Sequence, residues 1–287
     1  MIIARFNGGR IGIVKGDRIH DISASFGSAE VPRGSIVDLF SAGSRFCADD
    51  VGEERGELVS GVVLEAPIER PGKIIGAPAN YYEHIDEMPD SATIRDWGTF
   101  LKAPTSITGP EGRVRLPYND VRTDYEGELA VVIGTGGRDI TADRALEHVF
   151  GYTCVLDITI RSSEDRSTRK SFDTFTPLGP WIVTADEIPD PGDLILKLDV
   201  NGDVRQHSST SKMIFGVPEL IAYASSVMTL EPGDIIATGT PAGVGPIVDG
   251  DVVTMEIEKI GQLRVYVDGR ESLGYAERPG PRPGLYA

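Results

Sequence analysis

Three acidic side chains carry the clearest chemical signal in the sequence. Glu126 and Glu128 stand two residues apart in Tyr125-Glu126-Gly127-Glu128-Leu129-Ala130-Val131-Val132-Ile133. Side chains alternate faces along a strand, so this spacing points both carboxylates the same way. Two carboxylates side by side repel. At the mouth of an apolar strand they are costly unless something neutralises them. A divalent cation would do so; an exposed strand end with two solvated glutamates is the alternative. Asp157 sits in Cys154-Val155-Leu156-Asp157-Ile158-Thr159-Ile160, an apolar strand where a lone aspartate is out of place. Buried aspartates are rarely left unpaired. Its partner is either Arg161, through a salt bridge, or the same cation. Three carboxylates select hard ions such as Mg²⁺, Mn²⁺ or Ca²⁺ over Zn²⁺. With histidines only at 20, 84, 148 and 207, an imidazole-rich site is not expected.

Two further groups could act on a substrate. In Asn80-Tyr81-Tyr82-Glu83-His84-Ile85-Asp86-Glu87, a helical reading puts His84 and Glu87 on one face. A carboxylate beside an imidazole orients it and raises its basicity, as a water-activating base requires. A surface His-Glu pair on a polar turn is the alternative. Lys170 precedes an aromatic, Pro/Gly-rich run, Ser171 to Pro180. A partly desolvated lysine there could hold or protonate a developing enolate; an ordinary solvated lysine is the alternative.

These residues must be positioned mainly by strands. ELAVVIG, CVLDITI, WIVTA, LILKLDV, DIIATG and VVTMEIEKI are β-branched and strand-like, with turns at Asn201-Gly202 and Asp249-Gly250. Helices are predicted at Ala142–Val149, with Thr141 and Asp143 as capping oxygens, and at Pro218–Met228, with proline in the first turn. Residues 1–70 read as a small β-rich unit with a hairpin turn at Asn7-Gly8-Gly9 and a helix at Ser35–Phe40. Pro67 and Pro71-Gly72 suit a junction, leaving 71–287 as the larger domain. KIIGAPANYY starts as a strand, YYEHIDEM forms a short helix, and Phe100-Leu101-Lys102 resumes a buried run. The polar segment around Asp86–Trp97 reads as a loop, and the tail at 277–287 as a surface segment. The glycine-rich stretch 239–245 lacks a Walker ending and reads equally as a tight loop or a ligand-facing one.

Composition bounds the partners. The 287 residues are 40% hydrophobic and 25% charged, enough for a substantial core. A formal charge of −16 argues against nucleic acid and anionic membranes, but not against a small anion beside a bound cation. Cys47 and Cys154 show no paired spacing and read as reduced thiols. Neither a signal peptide nor a membrane span is evident. A cytoplasmic protein is expected.

An ordered set of segments resembles the fumarylacetoacetate hydrolase (FAH) superfamily: NYYEHIDE, FLKAPTSITGP, DYEGELAVVIG, GYTCVLDITIR, RKSFDTFTPLGPW, NGDVRQHSSTSKMIFG and LEPGDIIATGTPAGVG. The resemblance implies an α+β, mainly β fold: an FAH-type mixed β-sandwich roll with a small β-rich N-terminal domain. It implies Mg²⁺ or Mn²⁺ (Ca²⁺ in crystals) on Glu126, Glu128 and Asp157. His84 and Glu87 match a base dyad on a lid over 82–98, and Lys170 matches the family lysine. Gln206 and Thr240 fall where members contact substrate or the metal-bound carboxylate, and Tyr81 and Arg161 join them as expected substrate contacts. Members are commonly homodimers. One departure stands out. Many members read D-x-T-x-R-D-x-Q after the metal aspartate, whereas this chain has Ser162-Ser163-Glu164 after Arg161, so the second Asp and the Gln are missing.

The expected activity is metal-dependent hydrolysis of a C–C bond in a 2-oxo acid or 1,3-dicarbonyl, an acylpyruvate- or fumarylpyruvate-like substrate. In that reading His84 activates water, and the leaving enolate is held by the metal and Lys170. Isomerisation of an unsaturated 2-oxo or 2-hydroxy diacid in aromatic catabolism ranks second, and oxaloacetate decarboxylation or lyase chemistry third. A non-catalytic small-molecule binder on the same fold is the alternative from another class. It would be expected to lack some of these residues.

Overall fold

A computed structural model describes residues 1–26, 36, 56–86 and 92–278. The predicted Ser35–Phe40 helix (Ile36 apart), Cys47, Glu87 and the tail from 279 lie outside the described residues. Among the described residues the backbone is mostly β, as expected for an α+β, mainly β fold.

The longest sheet has Gly127–Ile133 near its middle, and all seven of these residues are buried. Val149–Leu156 lies antiparallel on one side and Ile235–Ala237 antiparallel on the other. A strand paired on both edges and covered on both faces has no place for alternation. Its residues therefore read as a continuous apolar run. Beyond Ile235–Ala237 the sheet continues through Ile74–Gly76, parallel, to Phe100–Lys102, antiparallel. Beyond Val149–Leu156 it continues through Thr176–Thr184 to Ile2–Phe6. A second sheet of Asp203–Ser209, Ile195–Val200, Val252–Ile257, Gly261–Asp268 and Arg113–Arg115 packs against it. Met255, Leu198, Leu263 and Val265 join Leu129, Val131 and Cys154 in one apolar core. A small sheet of Thr159–Ile160, Thr123–Tyr125 and Gly245–Ile247 completes the strand set.

The Asn7-Gly8-Gly9 turn closes a hairpin between Ile2–Phe6 and Arg10–Lys15, and all three turn residues take positive φ. This N-terminal hairpin does not form a separate sheet. Ile2 and Ile3 pair with Val183 and Ile182, so the first strands extend the main sheet. Val217–Val227 is an α-helix with proline in its first turn, as predicted.

The other helix prediction needs correction. Residues Ala142–His148 wind as 3-10 turns, and the Thr141 side chain makes no cap. The ADRALEH segment buries only Ala145, too little apolar face to hold a regular amphipathic α-helix. The Asp86–Trp97 loop prediction is corrected at its end. Ile94–Trp97 forms a helical turn, closed by a reciprocal Thr93–Asp96 capping box.

Candidate metal centre

The carboxylates converge where strands leave one sheet for another. Glu126 sits between Thr123–Tyr125, in the small sheet, and Gly127–Ile133, in the main sheet. Asp157 occupies the matching break between Val149–Leu156 and Thr159–Ile160, and so stands at a strand's end rather than within one. The Asp157 N–H donates to the Glu126 carbonyl at 2.8 Å, locking the two breaks together. Gly127, which opens the strand between the glutamates, lets the Leu198 and Gln206 side chains approach closely. A Cβ there would lie 2.9 Å from Leu198 Cδ1 and 3.1 Å from Gln206 Oε1. One ligand oxygen from each of Glu126, Glu128 and Asp157 lies within 4.8 Å of the others, and all three residues are buried.

Cations already face two of the three. Lys170 Nζ donates at 2.6 Å to both Glu126 Oε2 and Asp157 Oδ2. Lys102 Nζ donates at 2.6 Å to Asp157 Oδ1 and at 2.8 Å to the Phe175 carbonyl. Arg161 bonds Glu126 at 3.1 Å and Asp124 at 2.6 Å, and Arg122 bonds Asp124 at 2.7 Å. Burial alone would raise the Glu126 carboxyl, but Lys170 and Arg161 outweigh it and hold the group at about 2. Burial would likewise lower Lys170. Asp157, Glu126 and Glu128 outweigh it and raise the group, so Lys170 stays a cation and not a base.

Glu128 has no such partner among the described residues. Its Oε2 accepts one bond, from the Gly239 N–H at 2.7 Å. Burial, reinforced by Asp157 and Glu126, pushes its carboxyl well above the ordinary range. A buried carboxylate held by a single N–H, beside two others, is short of positive charge. The donor set is all oxygen and suits a hard divalent ion. On both counts the residues fit a metal.

The glycine-rich stretch proves to face this site. Gly239 adopts φ +94°, and a Cβ would meet Asn80 Cβ at 2.7 Å and the Ala77 carbonyl at 2.9 Å. Asn80 is fully buried and bonds the Phe215 and Thr238 carbonyls and the Phe215 N–H. It thereby sets the start of the Tyr82–Ile85 helical turn that carries His84. His84 is buried and lines the same cavity as the three carboxylates, Lys170, Arg161 and Thr240.

The model for the fumarylacetoacetate (FAA) hydrolase C-terminal domain matches residues 73–268. The chain belongs to the fumarylacetoacetate hydrolase family. It is 42% identical over 284 residues to the maleylpyruvate hydrolase of Aquipseudomonas alcaligenes, covering 93% of this chain and 99% of that one. Its fold matches the crystal structure of maleylpyruvate hydrolase from Sphingobium sp. SYK-6 in complex with manganese (II) and pyruvate. That match has a TM-score of 0.83 and 41% identity, over 94% of this chain and 99% of the other. The 2-hydroxyhepta-2,4-diene-1,7-dioate isomerase of Mycobacterium marinum matches with a TM-score of 0.74 and 34% identity, over 95% and 100% of the two chains.

Within this family site, the structure gathers Glu126, Glu128, Asp157, His84, Lys170, Arg161 and Thr240 around one cavity. Two expected substrate contacts sit behind it. Gln206 is fully buried, accepts from the Gly127 N–H at 3.0 Å and donates to Thr240 Oγ1 at 2.8 Å and the Pro241 carbonyl at 2.9 Å. With its amide spent on the protein, it braces Glu126–Glu128 and Thr240. Tyr81 is also fully buried, and its hydroxyl has no hydrogen-bond partner among the described residues. The proposed Arg161–Asp157 pairing is corrected, because Arg161 turns to Asp124 and Glu126 while Asp157 takes the two lysines. Sequence reasoning missed Lys102 and Asp124. A lysine ending the buried run Phe100-Leu101-Lys102 was the available signal, since alternation puts it on the buried face with Phe100. Glu83 does not stand in for Glu87: its carboxylate is tied to Lys212 at 2.5 Å and Ser208 at 3.0 Å.

Proposed function

We propose that this chain is a divalent-metal-dependent hydrolase that cleaves a C–C bond in an acylpyruvate, with a small oxo acid as its partner. The observation that carries the reading is Glu128: a buried carboxylate with no ion-pair partner among the described residues, beside two others, in a chain 42% identical to a maleylpyruvate hydrolase. Glu126, Glu128 and Asp157 would hold Mg²⁺ or Mn²⁺, which supplies Lewis-acid polarisation of the substrate's 2-oxo group. His84 would take a proton from water on its way to the distal carbonyl. The bond then breaks with its electron pair passing to the pyruvyl fragment as an enolate. Lys170, kept protonated by three carboxylates, stabilises that negative charge. Thr240 is held by Gln206 at the cavity wall and would bond a substrate oxygen. A homodimer in the cytoplasm is the expected setting. Among the described residues no helix is long and apolar enough to cross a membrane.

The test is turnover of acetylpyruvate, fumarylpyruvate, oxaloacetate and an unsaturated oxo-diacid with Mn²⁺ and with Mg²⁺, for the wild type and His84→Ala. The hydrolase reading expects acylpyruvate cleavage to pyruvate. It also expects His84→Ala to lose about 100-fold or more in kcat, the scale of a positioned base, with Mn²⁺ affinity nearly unchanged. Undiminished hydrolysis in His84→Ala would remove that base. Isomerisation without any cleavage would favour the second reading.

A further inference from the structure

Lys170 rides on a stretch that the end of the chain grips from both sides. Residues 161–175 leave the small sheet after Thr159–Ile160, pass through the Arg166–Arg169 turn and rejoin the main sheet at Thr176. They carry Arg161, bonded to Glu126, and Lys170, bonded to both Glu126 and Asp157. Their one regular element is a helical turn of four residues, too short to hold itself. Ahead of Lys170, Glu164 forms an ion pair with Arg278, and Ser162 Oγ donates to Glu164 at 3.2 Å. The pair is shielded, at 27% exposure for Arg278 and 18% for Glu164, unlike the fully solvated pairs that contribute little. Arg278 also faces the Tyr275 ring, 5.8 Å from its centroid. Behind Lys170, Phe172 meets Tyr118 edge-on with ring centroids 5.7 Å apart, and Tyr118 meets Tyr275 edge-on at 4.9 Å. Phe172 packs in turn on Phe175 at 5.2 Å, whose carbonyl accepts from Lys102. Tyr275 is fixed to the fold, because its N–H donates to Asp120 at 2.8 Å and the Leu273 backbone bonds Pro117 and Asn119. Neither Glu164 nor any of residues 274–278 lines the cavity, so whatever they do to the site passes through the 161–175 stretch. Residues 274–278 also lie beyond 73–268, the part that the family model matches. Glu164 stands where many relatives carry glutamine, a neutral side chain that could not pair with Arg278 in this way.

We propose that Arg278 and Tyr275 are positioning residues for Lys170: through Glu164 on one side and Tyr118 and Phe172 on the other, they hold the 161–175 stretch so that the ammonium stays on Glu126 and Asp157. A flexible lysine meets two carboxylates at once only if its backbone is fixed, and a shift of about 1 Å at a reacting group can cost about 100-fold in rate. The catalytic consequence rests on the hydrolase reading, in which Lys170 steadies the enolate. The clamp itself is a matter of local order and has a readout of its own.

The experiment compares Mn²⁺-loaded wild type with Arg278→Gln, Glu164→Gln, Arg278→Lys and the swapped pair Glu164→Arg/Arg278→Glu, each checked for an unchanged circular dichroism spectrum. The first readout is kcat and KM for acylpyruvate cleavage. Enolate charge develops only towards the transition state, so each glutamine variant should lower kcat about 5- to 20-fold and leave KM within about twofold. Arg278→Lys and the swapped pair restore an ion pair and should bring kcat back to within about threefold of wild type. The second readout needs no turnover: amide hydrogen exchange followed peptide by peptide. Arg278→Gln should speed exchange about tenfold or more in the peptide spanning 162–170 and leave the core strand 127–133 unchanged. A kcat within about twofold of wild type, a loss confined to KM, no recovery in either restoring variant, or exchange that quickens equally in both peptides overturns the positioning role. A wild type that cleaves no acylpyruvate overturns the hydrolase reading instead. Faster exchange at 162–170 alone then keeps the clamp, and unchanged exchange there overturns it.

Discussion

The two walls of the cavity are built on different principles. The acidic wall hangs from the ends of long strands. Glu126, Glu128 and Asp157 sit where Gly127–Ile133 and Val149–Leu156 part from the main sheet, and every neighbour in those strands is packed. The basic wall hangs from short turns, Arg166–Arg169 and Ile94–Trp97, of four residues each. Its side chains are only partly buried, and a stacking contact and a capping box hold them. A four-residue turn has no cooperative helix to lose and few packed neighbours to disturb. Loop-borne groups of this kind can be exchanged without cost to the core, whereas a change at a strand junction disturbs both sheets. On the proposed function the strand-borne wall would carry the reaction, and the turn-borne wall is the part free to change with the substrate.

The sharpest way to break this comparison is Glu128→Gln. Glutamine keeps an acceptor for the Gly239 N–H but removes the charge. Loss of a group bonded to a ligand commonly costs 10- to 100-fold in metal affinity, so loss of a ligand itself should cost at least about 100-fold. Turnover should fall to background on every substrate, more than about a thousandfold if Lewis-acid stabilisation is worth several kcal/mol. The same variant should move stability the other way in chelator. The Glu128 carboxyl is raised in the fold, by burial first, so the folded state binds a proton the unfolded state has released. The metal-free wild type therefore loses stability as pH rises from the ordinary carboxylate value through the raised one. Glu126, held at about 2, opposes this; its contribution is present above the ordinary carboxylate range and fades only as pH falls towards 2. Glu128→Gln should thus melt higher than wild type at pH 8 in EDTA, with the gap closing below about pH 4.5. Equal melting temperatures at pH 8 would mean that Glu128 does not carry an uncompensated charge.

Much of the acidic wall was legible in the sequence because it is written in strand periodicity. Glu126 and Glu128 betray themselves by a two-residue spacing ahead of an apolar run, and Asp157 by its isolation among Val155, Leu156 and Ile158. The hairpin at Asn7-Gly8-Gly9 and the Val217–Val227 helix were legible for the same reason: turn chemistry and helical period are local. What periodicity could not show was pairing across the fold. Asp157 takes Lys102, fifty-five positions earlier, and not the nearby Arg161. Gln206 turned out to brace Gly127 and Thr240 from behind, because its partners come from two segments far from it in sequence. The Ala142–His148 segment had caps and apolar residues in helical order, yet only one residue of it finds a buried place.

Lys102 tests the acidic wall from its other side. Its side chain is 1% exposed, and burial depresses its ammonium although Asp157 opposes the shift. Lys102→Met fills much of the same volume but removes one of the two bonds to the Phe175 carbonyl, which keeps the Ile158 N–H, and leaves Asp157 with Lys170 as its remaining lysine. Breaking a buried ion pair costs about 3–5 kcal/mol, and the remaining lysine puts this case at the lower end. For a chain of this size that is a drop in Tm of roughly 6–12 °C in EDTA. Mn²⁺ should recover part of it by supplying the missing positive charge beside Asp157. A Tm within about 1 °C of wild type would place Lys102 outside the charge balance of the site.

The smallest effect expected is on the basic wall, and it is the one that separates the walls most cleanly. Trp97→Leu removes the ring beneath Arg166 without touching a carboxylate, a lysine or His84. A partly exposed cation–π contact is worth about 0.5–1 kcal/mol. The kcat/KM for acylpyruvate cleavage should therefore fall about two- to fivefold, less than for Arg166→Gln itself. Mn²⁺ affinity should stay within about twofold, since Trp97 supplies none of the clustered ligand oxygens. Combined with Arg166→Gln, the tryptophan change should add almost nothing, because a ring that acts only by orienting one guanidinium has no effect once that guanidinium is gone. If the two losses instead multiply, Trp97 acts on the substrate by its own contact, and the turn that carries it belongs to the binding wall in its own right.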